Sequence, residues 1–330
     1  MNVLFSSPRV AAEGELDPNQ THLRKPLIEH LAMGFGVFMP LVGLFVAIIL
    51  LWGTGIGWTE VLLLLGFYSF TILGVTIGFH RMFTHRALEA GPVTRFILAV
   101  AGSMSAQGPV LGWCAVHRQH HKHSDRDGDP HSPHLHGEGV GGMLKGMWHA
   151  HFGWVFAEEH VATSKAVPDL IADKVLVFVD RYFWFWLLSG WVIPGVIGGL
   201  ISQSWSGAFA GLLWGGLVRT FLLHHVTWSI NSVCHVWGTR PFEGPDESRN
   251  NPVFGLIAFG EGWHNNHHAF PTSARHGLRW WEIDITYIVI RAMQACRLVW
   301  NVRLVPESAQ RARRAPAPSA AGGLASQASS

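Results

Sequence analysis

Residues 61–85 of the chain read VLLLLGFYSFTILGVTIGFHRMFTH. The run from Val61 to Phe79 carries no charge, and a helix of about 20 apolar residues is long enough to cross the hydrocarbon core of a bilayer. Two histidines, His80 and His85, follow at the point where that helix would leave the lipid. The stretch therefore predicts a membrane-spanning helix that carries two imidazoles to one membrane surface.

The rest of the chain offers three further spans. Leu31–Trp52 is uncharged, and a longer uncharged tract runs from Tyr182 to Val218. Because that tract is too long for one crossing, we divide it near Ser202, which gives a third span near 182–201 and a fourth near 205–227. The sequence predicts an all-α integral membrane protein with four transmembrane helices.

Composition supports lipid as the solvent. The chain is 48% hydrophobic and 14% charged, whereas an average soluble domain is about 25% charged. Its net charge of +2 gives no reason to expect nucleic acid as a partner. Two details of the spans are unusual. Arg219 lies inside the fourth span, where it must reach the interface or meet a partner, and the weaker apolar stretch Phe96–Trp113 is expected at the interface or dipping into it.

The basic residues predict the orientation. The connection between spans one and two has no Lys or Arg, and neither has the connection between spans three and four. The positive-inside rule then puts both termini and both long segments in the cytoplasm and makes the spans two hairpins. We divide the chain into a cytoplasmic tail (1–30), a membrane domain (31–308) and a C-terminal tail (309–330). The last is expected to be disordered, because small residues, Pro and Arg cannot bury a core.

Three histidine clusters face one side of the membrane in this topology, because an even number of crossings separates them. The first is His80 and His85, and the others are HRQHH from His117 and HNNHH from His264. Positions i, i+3 and i+4 share a helix face, so each five-residue cluster can aim three imidazoles at one point. His80 and His85 converge only if the helix ends or bends between them. His235 continues the face of span four, four residues after Asn231.

The number of histidines points to two metal ions. Imidazole binds Fe, Zn, Cu and Ni, and nine ligands are too many for one ion. Zinc with open positions would favour hydrolysis, but the chain has no HExxH motif. A carboxylate di-iron centre needs two ExxH motifs, and Glu261–His264 is the one match. An all-histidine, redox-active di-iron centre is the best chemical fit.

Four segments resemble the membrane fatty acid desaturases of the stearoyl-CoA (acyl-CoA Δ9) family over about residues 60–300. They are GVTIGFHRMFTHRALEA, HRQHHKHSDRDGDPHSP, TWSINSVCHVWG and GEGWHNNHHAFP. The resemblance implies four transmembrane helices under a cytoplasmic helical cap. It also implies that two iron ions (Fe2+) are bound by nine histidines, with Asn231 contributing through water: His80, His85, His117, His120, His121, His235, His264, His267 and His268.

The same resemblance implies the reaction. The reduced irons activate O2, and two hydrogens leave adjacent mid-chain carbons, which gives a cis double bond, most simply at Δ9, and water. Two electrons must come from outside. The sequence contains no flavin fingerprint, haem domain or CxxC…CxxC cluster, so a separate ferredoxin-like or cytochrome donor is expected.

The chain departs from its acyl-CoA relatives where they hold the CoA head group. An Arg-Asp pair precedes the second cluster in those enzymes, and here the positions are Ala115 and Val116. The stretch after His151-Phe-Gly-Trp contains Glu158 and Glu159, which would repel phosphates. The acyl carrier is therefore open between CoA and a glycerolipid or carrier protein.

The acyl tail beyond the reacting carbons should run beside span two. Tyr68 lies twelve residues before His80, about 18 Å along a helix, and we expect it either to pack between helices or to close the tunnel and favour palmitoyl over stearoyl chains. The remaining residues assigned to the tunnel are Gln107, Trp113, Thr227 and Trp228.

The other histidines have simpler interpretations. Those at 131, 134, 136, 149 and 151 are expected in a loop that covers the cleft rather than in a second metal site. Four are predicted at the surface: His22, His30, His160 and His276.

Two rival functions remain at the level of sequence. Membrane hydroxylases and alkane monooxygenases use similar clusters with different spacing and flanks. A metal transporter would place its ligands near the bilayer midplane, whereas these histidines lie at the ends of the spans.

Overall fold

The computed structural model of the protein describes residues 22–24, 27–157 and 159–314. Most of the predicted cytoplasmic tail (1–30) and disordered tail (309–330) lies outside the described residues. The first residues of the latter, Ala309 to Ala312, belong to a short helix that begins at Glu307.

Helices dominate the described part of the chain. In chain order they are α1 Leu27–Thr54, α2 Trp58–Thr84, α3 Pro92–Ser103, α4 Val110–His123, α5 Gly139–His151, α6 Thr163–Ala166, α7 Pro168–Ile171, α8 Lys174–Arg181, α9 Phe183–Ser202, α10 Trp205–His235, α11 Pro252–Ile257, α12 His264–Ala269, α13 Ile285–Ala295 and α14 Glu307–Ala312. Two antiparallel pairs of short strands join β1 (His22–Arg24) to β3 (Glu159–Val161) and β2 (Glu89–Ala90) to β4 (Val299–Trp300).

Four of the described helices are long and apolar enough to cross a membrane, which confirms the predicted number of spans. These candidate spans are His30–Gly53, Trp58–Thr84, Phe183–Ser202 and Trp205–His235. Helix α10 packs against the other three. The two-hairpin arrangement and the side of the membrane stay predictions.

Helix α2 runs further than its apolar pattern predicts, and its last part is wound differently. From Gly74 to Thr84 it is a π-helix, with the wider turn that i→i+5 hydrogen bonds produce. The amide of His85 donates to the carbonyl of His80 at 3.1 Å. The π-helix thus places these two residues one turn apart, which a regular α-helix would not do.

The stretch Phe96–Trp113, which the sequence predicts at the interface or dipping into it, comprises most of α3, a turn and the start of α4. Arg219, fully buried on α10, donates to the carbonyls of Met104 (2.9 Å), Gly190 (2.8 Å) and Gly215 (3.2 Å). His224 contacts the carbonyl of Ser105 at 3.1 Å. The buried charge that the sequence left without a partner therefore binds backbone carbonyls, and it ties this turn to the bundle.

We call the described segments outside the four candidate spans and α3 the cap. Helix α4 packs against the π-helical part of α2 and against α6 and α8. The largest buried apolar cluster spans bundle and cap and includes Phe79, Leu111, Val179 and Ile290. This shared core holds α4 beside the end of α2, where the histidines lie.

Candidate metal centre

All nine predicted ligand histidines come together, and they form two groups. The potential ligand atoms within each group lie within 4.8 Å of one another. Group A consists of His80, His85, His117, His121 and His267, and group B consists of His120, His235, His264 and His268. The sequence alone could not divide the histidines in this way.

Helices α4 and α12 contribute to both groups, so the expectation that each aims three imidazoles at one point is wrong. On α4 the i, i+4 pair His117 and His121 joins group A, while His120 joins group B. On α12 the assignment is reversed, because His264 and His268 join group B and His267 joins group A. Residues i+3 and i+4 of a helix point 100° apart. A helix that lies between the two groups can therefore contribute histidines to each of them.

The ring nitrogens are spaced as ligands of a shared cation would be. In group A the Nε2 atoms of His80 and His267 are 3.0 Å apart, and that of His121 is 2.9 Å from His267 and 3.1 Å from His117. In group B the distances are 3.0 Å for His235–His264 and 3.4 Å for His120–His268. Two nitrogens bound at about 2.1 Å and at right angles would be about 3.0 Å apart.

The protonation state also suits a metal. Burial, and then the neighbouring imidazoles, hold the pKa values of five of these histidines well below their ordinary value of 6.5: His117, His121, His264, His267 and His268. Neutral imidazole is the form that binds metals.

Four carboxylates orient four of these rings, and the sequence did not reveal their role. Each faces the Nδ1 atom of one histidine, which leaves Nε2 free to face the group. The pairs are Glu261 with His80, Asp129 with His120 (3.0 Å), Asp125 with His235 (2.8 Å) and Asp246 with His268 (3.2 Å). The acidic flank SDRDGDP after the second cluster and Glu261, three residues before His264, are the sequence signals for three of these carboxylates.

The charges of these carboxylates are stabilised locally. Burial alone would raise the pKa of Asp125, but its hydrogen bond and its electrostatic interaction with the His235 ring lower the pKa to about 2. Glu261 accepts a hydrogen bond from Nη2 of the fully buried Arg81 at 2.9 Å, and Asp284 accepts one from Nη1 of the same guanidinium at 3.0 Å.

His276, predicted at the surface, is buried beside group A. Its ring centroid lies 4.5 Å from that of His267 and 5.4 Å from that of His80. Its Nδ1 is 3.7 Å from Glu261, and neither ring nitrogen has a hydrogen-bond partner among the described residues. The prediction is wrong because His276 lies in an irregular segment, where no periodicity indicates burial.

Asn231 lies on α10 one turn before His235 and is half-buried. No residue in the described part of the chain hydrogen-bonds its side chain, so its amide has no protein partner that would compete with a water. Its part in metal binding stays a prediction.

Three of the residues assigned to the tunnel form a chain beside group A. Gln107 donates to the Thr227 hydroxyl at 2.8 Å and accepts from the Trp113 indole at 3.3 Å. The Trp113 ring stacks on His117 with centroids 5.0 Å apart. The fourth, Trp228, stacks on the ring of His224.

Tyr68 lies on α2 and contacts the segment at the end of α11. Its hydroxyl donates to the carbonyl of Ile257 at 2.6 Å, and its ring meets Phe259 edge-on. The structure therefore pins the ring between α2 and the end of α11. Among the residues that bear on the acyl carrier, the structure describes the side chain of Ala115. Ala115 is buried, and the side chains of Glu158 and Glu159 lie outside the described residues.

Comparison with known proteins finds a fatty acid desaturase family model and several related enzymes. The Fatty acid desaturase family model matches residues 56–298. The chain is 46% identical over 268 residues to the hex-5-enoyl-[acyl-carrier protein] acetylenase of Moorena producens (strain JHB), covering 81% of this chain and 84% of that protein. It is 37% identical over 234 residues to the sn-1 stearoyl-lipid 9-desaturase of Anabaena variabilis (70% and 79%). It is 39% identical over 251 residues to the icosanoyl-CoA 5-desaturase of Limnanthes douglasii (74% and 65%).

Proposed function

This chain belongs to the fatty acid desaturase family and is therefore an oxidoreductase that acts on fatty acyl chains, and from that premise we propose that it introduces a cis double bond with two bound iron ions and O2. The observation that carries the proposal is the division of nine histidines into two groups with nitrogens about 3 Å apart. Iron bound in these groups would supply the redox chemistry that O2 activation needs. The overall reaction is –CH2–CH2– + O2 + 2 e− + 2 H+ → –CH=CH– + 2 H2O.

Each group would hold one iron. The five histidines of group A offer a nearly complete shell for an ion of six ligands. The four of group B leave room for the water that Asn231 would hold. The carboxylates Glu261, Asp125, Asp129 and Asp246 keep their partner imidazoles in the tautomer that turns Nε2 inward.

The substrate chain would pass the hydrogen-bonded series Thr227–Gln107–Trp113, in which Gln107 is the central residue, on its way into the bundle. The polar groups of these side chains form hydrogen bonds with one another. The threonine methyl group and the indole carbons are then the surfaces left to contact an acyl chain. We place Tyr68 at the end of this path, where the hydrogen bond to the carbonyl of Ile257 satisfies its hydroxyl and fixes the ring.

For the position of the bond we propose Δ9, as the resemblance implies and as the name of the stearoyl-lipid relative suggests. For the carrier we propose a glycerolipid or a carrier protein in preference to CoA. Ala115 occupies the position of the head-group arginine, and no cation replaces it there.

A second candidate activity is acetylenase, which the 46% identity to the carrier-protein acetylenase favours. It removes two hydrogens from an existing double bond with the same balance of O2, electrons and protons. The same histidine groups would serve desaturation and acetylenic bond formation, and the saturated or unsaturated substrate would determine which reaction occurs.

The sidedness of the site is part of the proposal. His80 and His85 lie at the end of α2, and His235 lies at the end of α10, so one membrane face carries the centre. The distribution of Lys and Arg supports the cytoplasmic face.

Lipid profiling of a host that expresses the chain tests the function. Feeding saturated and monounsaturated fatty acids in parallel distinguishes the two activities. New cis-monoenes support desaturation, new acetylenic chains support the second candidate, and hydroxylated chains would indicate a hydroxylase instead.

A further inference from the structure

A groove of about 1240 Å³ lies where three segments of the cap meet, 239–241, 275–281 and 305–314. Five arginines and one glutamate, Glu307, are its charged lining residues, a formal charge of +4. The arginines are Arg240, Arg275, Arg279, Arg311 and Arg314. We call this feature the arginine groove.

Two of its arginines have close carboxylate partners. Arg311 contacts Glu307 at 2.7 Å, and Arg240 contacts Glu247 at 3.1 Å. The first pair is almost wholly exposed, and the second is partly exposed. Pairs of this kind contribute little in water and exchange partners readily.

The other three arginines are less compensated. Arg275 lies over the ring of Tyr287, and the nearest carboxylate oxygen to Arg279, from Glu282, is 3.9 Å away. The Arg314 side chain has no hydrogen-bond or ion-pair partner within the described ranges. The groove therefore retains positive charge that a negatively charged ligand could neutralise.

An exposed aromatic side chain accompanies this charge. Trp280 is 93% exposed, and Trp281 beside it is 41% exposed. Tryptophan and arginine are among the residues enriched at the energetic centres of protein interfaces. Their combination in one groove indicates a surface that binds another macromolecule.

The groove adjoins the metal centre through its C-terminal wall. Arg313, next to Arg314, donates to the carbonyl of Ala269 and lies with its guanidinium 5.7 Å from the centroid of the Phe270 ring. Ala269 directly follows His268, a member of group B. A short covalent and hydrogen-bonded path thus joins the groove to one of the two ligand groups.

We propose that the arginine groove is the docking surface for an acidic electron-carrier protein. The inference rests on the proposed function, which consumes two electrons that a reduced carrier protein must supply, becoming oxidised as it does so. Charge complementarity selects an acidic partner and would speed its association. The 16 residues of this sequence that follow Arg314 contain no Asp or Glu, so this segment offers no charge complementary to the groove.

Anionic lipid is the competing ligand, because exposed apolar side chains also occur in this part of the cap, at Val253, Ile283 and Ile288. The position of the groove beside α12 favours the carrier, since electrons must reach the histidine groups, whereas a lipid head group needs no such path. The experiment below separates the two.

The test uses the full-length, iron-loaded protein in phosphatidylcholine nanodiscs, with a reduced plant-type ferredoxin as the acidic probe. The variant is Arg279→Glu/Arg314→Glu, and the control is Lys174→Glu, an exposed lysine on α8. Carrier-driven product formation gives KM for ferredoxin. A single turnover after reduction with dithionite bypasses docking.

We expect KM for ferredoxin to rise about tenfold or more in the double variant and to lose much of its salt dependence. The control should stay within about twofold, and the dithionite turnover should be unchanged in both. An unchanged KM in the double variant would overturn the docking proposal. So would a KM effect that appears only when phosphatidylglycerol is added to the nanodiscs, because the groove would then bind lipid. Absence of product in the wild-type dithionite turnover would instead overturn the proposed function.

Discussion

The amide of His85 donates to the carbonyl of His80 across five residues, at 3.1 Å. This bond belongs to the π-helix Gly74–Thr84, and it brings two imidazoles that an α-helix would separate by about 140° into group A. The wider turn of the π-helix therefore allows the end of a membrane span to place two histidines in the same ligand group.

The π-helix is held against α3 at a close approach. A Cβ on Gly74 would lie 2.2 Å from the amide nitrogen of Gly102, whereas a Cβ on Gly66 of the same helix would meet nothing within 4 Å. Gly74→Ala should destabilise the protein by about 1–3 kcal/mol through overpacking and lower its iron content. Gly66→Ala serves as the control and should lower neither stability nor iron content, because alanine is the better helix former. Equal melting temperatures for the two variants would contradict this packing.

His235 should be as necessary as His120, although it lies outside the three histidine clusters. Both belong to group B, so His235→Ala and His120→Ala should each abolish activity while group A retains its iron. Iron analysis and product analysis of the purified variants measure this. Asn231→Ala should be milder, because another water can partly replace a water-mediated ligand. Full activity in His235→Ala would refute the nine-ligand assignment.

Asp125 should tune metal affinity without touching the metal. Its carboxylate accepts from Nδ1 of His235 at 2.8 Å, and loss of such a partner commonly lowers metal affinity by about 10–100-fold. Asp125→Asn should therefore release iron from group B at lower chelator concentration than the wild type. Asp127→Asn, an exposed neighbour in the same loop, is the control and should match the wild type. Identical chelator titrations for both variants would show that Asp125 has no such role.

Tyr68 should limit chain length. Tyr68→Ala removes the ring that we place at the end of the tunnel, so the ratio of stearoyl to palmitoyl products should rise while the bond position stays the same. Tyr68→Phe keeps the bulk and loses the hydrogen bond to Ile257, and it should keep the wild-type ratio. Gas chromatography of the products decides. If the alanine variant with normal iron content keeps the original ratio, Tyr68 merely packs between helices.

Local patterns in the sequence were sufficient for the spans and for the set of histidines. Uncharged runs of about 20 residues mark helices in lipid, and HRQHH and HNNHH place imidazoles on helix faces. The partition between the groups was not accessible, because it depends on how α4 and α12 are rotated between two points in space.

The missed features depend on contacts between distant segments. Asp125 and Asp246 reach His235 and His268 from loops, and His276 is buried from an irregular stretch. Arg219 is stabilised by backbone carbonyls, which leave no mark in the side-chain pattern. Tertiary structure alone provides these partners.

The central claim is that two histidine groups hold two irons which desaturate an acyl chain. A single turnover of the purified, dithionite-reduced protein with a saturated acyl lipid and O2, followed by mass spectrometry of the lipid, tests it most directly. The account predicts a product that has lost two hydrogens and carries one cis double bond, in proportion to bound iron and absent from metal-free protein. A protein that binds iron yet yields only hydroxylated or unchanged lipid would contradict it.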